Sequence, residues 1–305
     1  MPQTTLSQAT RERRAYWVAE IEKLSGDFGN DASRVEHEVA AEVAKDGSGA
    51  LKDHLHTCGA IPESYGASSS EEKLYSKYTD TLLALAFRHL GISCAVLTER
   101  AGAADVEGTC KGFSFVADAK AFRLSRTAKN QKDFKVHAMD NWKRGKDFAV
   151  VVCPIYQLPS RSSQIYQQAT AQNVCVLSYS HVVFLVTYAD RFGAEEAQRL
   201  FGDLLACVAR LNASKDAVAY WQGLNRQMIG NDPTTIAIWS DEKRVAMDAM
   251  NYSKEEGLLY LANERKKLMG LSREQAISEL LRVHNIDGRM TMIARVGDNG
   301  LLNLS

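Results

Sequence analysis

Two acids and a lysine on neighbouring strand-like runs could together hold a divalent cation and hydrolyse a phosphodiester. In FSFVADAKAF, beginning at Phe113, strand alternation puts Ser114, Val116, Asp118 and Lys120 on one face and Phe113, Phe115, Ala117 and Ala119 on the other. Lys111-Gly112 reads as a two-residue hairpin turn, which pairs Cys110 with Phe113 and sets Asp105 opposite Asp118. Directly opposed strand residues have Cβ atoms about 5 Å apart, so two like charges there destabilise the sheet unless something compensates them. A divalent cation is a natural compensator, and Mg²⁺ commonly takes one or two carboxylates plus a substrate phosphate. Lys120 alongside would supply an amine near the attacking water, completing the parts for metal-assisted hydrolysis. An isolated Asp–Lys pair on a strand is more often a solvated pair worth at most ~1 kcal/mol, so the surrounding residues have to decide between the two.

Those surroundings are cationic. VADAKAFRLSRTAKNQKDFK, residues 116–135, carries a basic residue at every third position: Lys120, Arg123, Arg126, Lys129, Lys132 and Lys135. A period of three wraps around a helix, so these six do not share one helical face, and a strand followed by a loop and then a helix fits better. Arg123 and Arg126 would lie at the strand exit, with Asn130, Gln131 and Lys132 in the following loop or first turns. Arg pairs with guanine, and Asn or Gln with adenine, through bidentate contacts in the major groove. Amides and guanidinium groups mixed with lysines suggest base reading joined to phosphate contact.

The rest of the chain has to position this segment. Its 305 residues are 45% hydrophobic and 24% charged, the composition of a globular protein. Lys plus Arg equals Asp plus Glu at 37 each, so affinity for a polyanion must come from local clustering. The amino terminus lacks a signal-peptide core, and no run approaches the roughly 20 apolar residues of a membrane span, which points to a cytoplasmic protein with no membrane partner. The six cysteines are scattered singly and read as reduced core thiols. His54 and His56, in KDHLHTC, have a spacing that would suit a metal on a strand, but without further ligands they read as a surface or loop pair.

Helical spacing marks residues 6–47, with Trp17, Ile21 and Leu24 as apolar positions. A loop at 61–70 leads into a long amphipathic helix through Leu74, Tyr78, Leu82, Leu85 and Leu90, capped near Ser69 or Ser70 and closed by Gly91. Strands are expected at 93–100, in DVEGTC and in FSFVADAKAF, then a helix from about Thr127 to Trp142. KDFAVVVCPIY (146–156) and NVCVLSY (173–179) read as buried central strands separated by the helical SSQIYQQAT. Beyond residue 180 helical periodicity dominates. The expectation is an α/β protein with a mixed central sheet flanked by helices. Residues 1–60 form an N-terminal helical extension, 61–190 the core, and 191–305 a C-terminal helical region packed on the core as part of one structural unit.

The runs VADAKAFRLSRTAKNQKDFKV and SSSEEKLYSKYTDTLLALAF, and more weakly LSREQAISELL, resemble the HindIII-type Type II restriction endonucleases of the PD-(D/E)-x-K nuclease superfamily. That resemblance implies a restriction-endonuclease-like core in the element order just described. It maps the two motif carboxylates onto Asp105 and Asp118 and the motif lysine onto Lys120. Ala104 stands where many members have Pro. The acid that many members carry on the preceding helix is matched to Glu72, with Glu71 as rival. A first-turn acid favoured by the helix dipole is an equal alternative. The resemblance further implies Mg²⁺ held by Asp105 and Asp118, and DNA contacts from Arg123, Arg126, Lys129, Asn130, Gln131, Lys132 and Lys135. The implied partner is double-stranded DNA carrying the palindrome AAGCTT, cut after the first A to leave four-base 5′ extensions and 5′-phosphates. A homodimer and a cognate DNA methyltransferase are implied as well. A structure-specific repair or recombination nuclease and a non-cleaving DNA-binding relative are the alternatives. The matched reading segment argues against the first, and the intact acids and lysine against the second.

Overall fold

The structure, a computed structural model, describes residues 5–97, 103–126, 134–158 and 161–294. It divides into two units, residues 1–257 and residues 258–305. The first unit opens with α1 (Gln8–Ile21) and α2 (Phe28–Thr57), the latter broken at Gly47, whose φ of 76° and ψ of −165° are not helical. Next come α3 (Ser70–His89), β1 (Ser93–Val96), β2 (Val106–Cys110), β3 (Phe113–Ala119), α4 (Val136–Trp142) and β4 (Phe148–Cys153). A 3₁₀ turn (Ile155–Gln157), α5 (Gln164–Ala171), β5 (Val174–Ser178), α6 (Tyr179–Phe192), α7 (Ala194–Val208) and α8 (Ala217–Ile229) follow. The long α9 (Pro233–Met269) spans the division, and α10 (Arg273–Val283) and α11 (Ile286–Ala294) belong to the second unit. Of the helix expected from Thr127 to Trp142, residues 127–133 lie outside the described residues, and α4 starts at Val136 because Lys135 before it is in the left-handed region at a φ of 49°.

The five strands form one mixed sheet in the order β1-β2-β3-β4-β5, antiparallel across β1, β2 and β3 and parallel across β3, β4 and β5. The parallel pairs need crossovers, and α4 and α5 supply them. FAVVVC and VCVLS are buried along almost their full length, as central strands with covered faces must be. Phe115 of β3 meets Phe87 of α3 and Phe201 of α7 at ring distances of 4.9 and 5.3 Å, so these helices cover the aromatic face of the hairpin. Gly108 stands opposite Phe115, and a Cβ there would lie 2.3 Å from the Phe115 ring, so only glycine lets the two strands keep this register.

Helix α3 is capped by the Ser69 hydroxyl, which accepts from Glu72 N at 3.2 Å. Its first turn carries Glu71 and Glu72 and its last Arg88 and His89, matching charge to the helix dipole at both ends. Leu74, Tyr75, Tyr78, Leu82, Leu83 and Phe87 are buried and anchor it over the sheet and against α2. His54 and His56 depart from expectation. They sit on α2, with His54 buried and its Nδ1 2.8 Å from the Tyr78 hydroxyl, and His56 Nε2 2.9 Å from Glu242. The reading as a surface or loop pair is therefore corrected: helical spacing brings His54 into the α1–α2–α3 core. All six cysteines are unpaired, and four of them are buried.

Arg14 of α1 ties the amino-terminal helices to the exit of β3. Its buried guanidinium donates to Ala60 O at 2.8 Å, to Thr57 O at 3.3 Å and to the Tyr75 hydroxyl, and pairs with Glu256 at 2.9 Å. Ala60 in turn forms a parallel bridge with Phe122: Ile61 N donates to Phe122 O at 3.2 Å, and Phe122 N to Gly59 O at 3.1 Å. Arg14→Met is expected to lower unfolding stability by about 3–5 kcal/mol, since it strands buried acceptors and one partner of an ion pair. A shift in the urea midpoint checks this, and a wild-type midpoint would show that the cluster carries little of the fold.

Candidate active site

The β2–β3 hairpin carries the two motif acids to the same height. Cys110 pairs with Phe113 across the Lys111-Gly112 turn and Val106 with Ala117, the register expected from the sequence; Asp105 and Asp118 are the residues just beyond that last pair, and their carboxylates lie within 4.8 Å of each other. Gly112 makes the turn possible with a φ of 114°. Asp105 is held by its own carbonyl, which accepts from Leu97 N at 2.8 Å. Asp118 lies between β2 and β4 and is 1% exposed. Lys120 is fixed through its backbone, its N donating to Val152 O at 2.7 Å and its O accepting from the Tyr179 hydroxyl at 3.1 Å. Its ammonium group ion-pairs with Asp118 Oδ2.

A third acid, which the sequence analysis did not single out, completes the group. Asp80, from the middle of α3, joins Asp105 and Asp118 so that one oxygen of each lies within 4.8 Å of the others. Burial, and then the nearness of Asp105 and Asp118, pushes the Asp80 carboxyl well above the usual carboxylate range. Burial and the Asp118 charge likewise push Asp105 up, with Lys77, Lys120 and Lys135 opposing. One oxygen of Asp80 and one of Asp118 are buried without a hydrogen-bond partner. Converging acids with orphaned oxygens are unfavourable alone, and an all-oxygen donor set of this kind fits a hard divalent cation.

The signal for Asp80 was present in TDTLLALAF: a carboxylate embedded in the buried stretch of α3, one turn after Lys77, where an apolar residue would pack better. Glu72 lies two turns earlier and outside this acid group. Its carboxylate accepts from Ser68 N at 2.5 Å and pairs with Arg123 at 2.9 Å. Glu71 is held below its ordinary value chiefly by the Ser69 hydroxyl, the arrangement of a capping acid.

An open cleft of about 640 Å³ runs over the acids and is lined also by Glu72, Lys73, Lys77, Lys120, Arg126 and Lys135. A cleft of about 420 Å³ shares Glu72, Phe122 and Arg126 with it and adds Arg123. The Arg126 guanidinium lies 5.3 Å from the Phe122 ring centroid, and Lys135 starts α4 at a φ of 49° with its ammonium 5.4 Å from the Trp142 ring. The structure therefore gathers Asp105, Asp118, Lys120, Glu72, Arg123, Arg126 and Lys135 around one surface. Lys129, Asn130, Gln131 and Lys132 lie outside the described residues.

An antiparallel three-strand meander extended by parallel strands, carrying acids and a lysine where the sheet opens toward a cation-lined cleft, defines a restriction-endonuclease-like nuclease. The chain belongs to the HindIII restriction endonuclease family, whose model matches residues 14–296. It is 33% identical over 248 residues to the Type II restriction enzyme HindIII of Haemophilus influenzae, an alignment covering 78% of this chain and 81% of that enzyme. It is accordingly a Type II site-specific deoxyribonuclease. Among the described residues, no helix is long and apolar enough to cross a membrane.

Proposed function

We propose that the protein cuts both strands of double-stranded DNA at AAGCTT, after the first A, with Mg²⁺ held by Asp80, Asp105 and Asp118. The observation that carries the metal reading is the convergence of these three carboxylates within 4.8 Å beside Lys120. The target sequence rests on the likeness to the HindIII enzyme. Bound there, Mg²⁺ would neutralise charge building up on the phosphoryl oxygens and favour ionisation of a water. Lys120, anchored by both its backbone groups, orients that water and stabilises the developing negative charge through its ammonium group. Attack forms the new P–O bond as the bond to O3′ breaks and O3′ takes up a proton, leaving 5′-phosphate and 3′-hydroxyl ends. Arg126 and Lys135 on the cleft wall contact phosphates, and Glu72 positions Arg123 for the DNA instead of holding metal. Sequencing both ends of a Mg²⁺ digest tests the whole statement: a four-base 5′ extension of AGCT supports it, and scattered nicks or another site overturn it.

Lys129, Asn130, Gln131 and Lys132 complete the proposed DNA contacts. Asn130→Ala and Lys132→Ala are expected to weaken cognate binding more than random-DNA binding, by roughly 1–3 kcal/mol for a lost bidentate base contact. Equal weakening on both DNAs in a competition assay would move the residue to phosphate contact.

A palindrome presents one half-site twice, and a two-fold homodimer matches it. We place the contact on α10, which has no buried residue and whose Ile277, Leu280 and Leu281 are 48%, 59% and 45% exposed. An apolar row of this kind suits self-association. Sedimentation is expected to give a dimer for the wild type and a shift toward monomer for Leu280→Glu; a wild-type monomer with and without DNA would sink the assembly. The proposed setting is the cytoplasm, beside a methyltransferase that protects host DNA.

A further inference from the structure

We infer that Lys77 is a built-in counter-cation of the acid cluster, which yields its place to the divalent cation and thereby sets the metal affinity of the site. The inference rests on the metal reading proposed above. Lys77 lies one turn before Asp80 on α3, and its Nζ stands 3.8 Å from Asp80 Oδ2 and 3.7 Å from Asp105 Oδ1. It therefore bridges the helix acid and the strand acid, the two groups that the hairpin alone does not bring together.

The two lysines of the site are held differently. Lys120 hydrogen-bonds Asp118 directly and its side chain is 12% exposed. Lys77 contacts its acids at distances beyond a normal N–H···O bond, and its side chain is 24% exposed. A Coulombic contact without a directed hydrogen bond, at the edge of an open cleft, can be given up by a rotamer change toward water. Charge points the same way. With a divalent cation bound and the three carboxylates ionised, both lysines together would leave the cluster positive, whereas with Lys77 withdrawn it is neutral. Lys77 thus holds α3 against β2 before the metal arrives and competes with it afterwards.

The test uses the full chain without DNA: thermal melting in EDTA and in saturating Mg²⁺, and calorimetric titration with Mg²⁺ and Mn²⁺, for the wild type, Lys77→Gln, Lys77→Arg and Asp118→Asn. Lys77→Gln is expected to melt below the wild type in EDTA, to reach the wild-type temperature in Mg²⁺, and to bind metal about three- to tenfold more tightly because a competing cation is gone. Lys77→Arg restores wild-type behaviour in both media. A merely structural lysine would lower melting equally in EDTA and Mg²⁺ and leave the metal dissociation constant unchanged, and that result overturns the inference. Weaker metal binding in Lys77→Gln overturns it too. If the wild type shows no Mg²⁺ response and matches Asp118→Asn, the metal reading of the site fails and the role of Lys77 fails with it. A wild-type response reproduced unchanged by Lys77→Gln refutes the Lys77 role alone.

Discussion

Asp118→Asn is expected to remain folded, to bind cognate DNA at least as tightly as the wild type in EDTA, and to cut it at least about a thousandfold more slowly in Mg²⁺, a loss of roughly 4 kcal/mol of transition-state stabilisation. Asparagine keeps the shape of a side chain that is 1% exposed between two neighbouring strands, so the fold has little reason to change. What is lost is one anionic oxygen of the proposed cation site and the anion paired with Lys120. Without metal, the wild-type acids repel an incoming phosphate, and removing one of them relieves that repulsion. Lys120→Ala should abolish cutting as well, but it deletes a cation and so should not tighten binding. If Asp118 were only a structural partner of Lys120, its Asn variant would cut well and melt earlier. Cleavage rates, EDTA binding and melting measured on the same preparations separate the two, and retained cutting by a folded Asp118→Asn protein sinks the assignment.

The hairpin was legible in the sequence because its information is local. The Lys111-Gly112 turn and the register from Cys110–Phe113 to Val106–Ala117 are fixed by period and turn and hold in the fold, and Asp105 and Asp118 follow just beyond the last pair. The central strands were legible for the same reason, as continuous apolar runs of strand length. Asp80 was legible only as an acid out of place in an apolar stretch, because nothing in the spacing of α3 says which of its acids passes over the hairpin. That depends on the crossing of α3 on the sheet, set by contacts such as Phe87 on Phe115 between residues far apart in sequence. Motif thinking favoured the first-turn acid Glu72, whereas packing gives it Arg123 as a partner. His54 failed for a related reason: its neighbours Trp17 and Tyr78 come from two other helices, and only tertiary packing turns a polar-looking KDHLHTC into core.

Asp80→Asn and Glu72→Gln should therefore part company. Asp80→Asn is expected to slow Mg²⁺-dependent cutting at least about a hundredfold, roughly 2.7 kcal/mol, while Glu72→Gln, which disturbs only the Arg123 pair and a cap, should cost less than about tenfold. The two also differ in stability without metal. Burial and the neighbouring Asp105 and Asp118 raise the Asp80 carboxyl well above its ordinary value. An acid raised in the folded state contributes stability that is fully present below its unfolded value of about 3.9 and is lost as the pH climbs through the raised value. In EDTA the neutral Asn variant escapes that loss, so its melting temperature should exceed that of the wild type by a margin that widens from about pH 4 upward. Saturating Mg²⁺ should reverse the order, because only the wild type gains the full set of oxygen ligands. Glu72→Gln should show neither the widening margin nor the reversal. Should Glu72→Gln abolish cutting and Asp80→Asn leave it intact, the helix acid of the site is Glu72, and its pair with Arg123 must break when DNA binds.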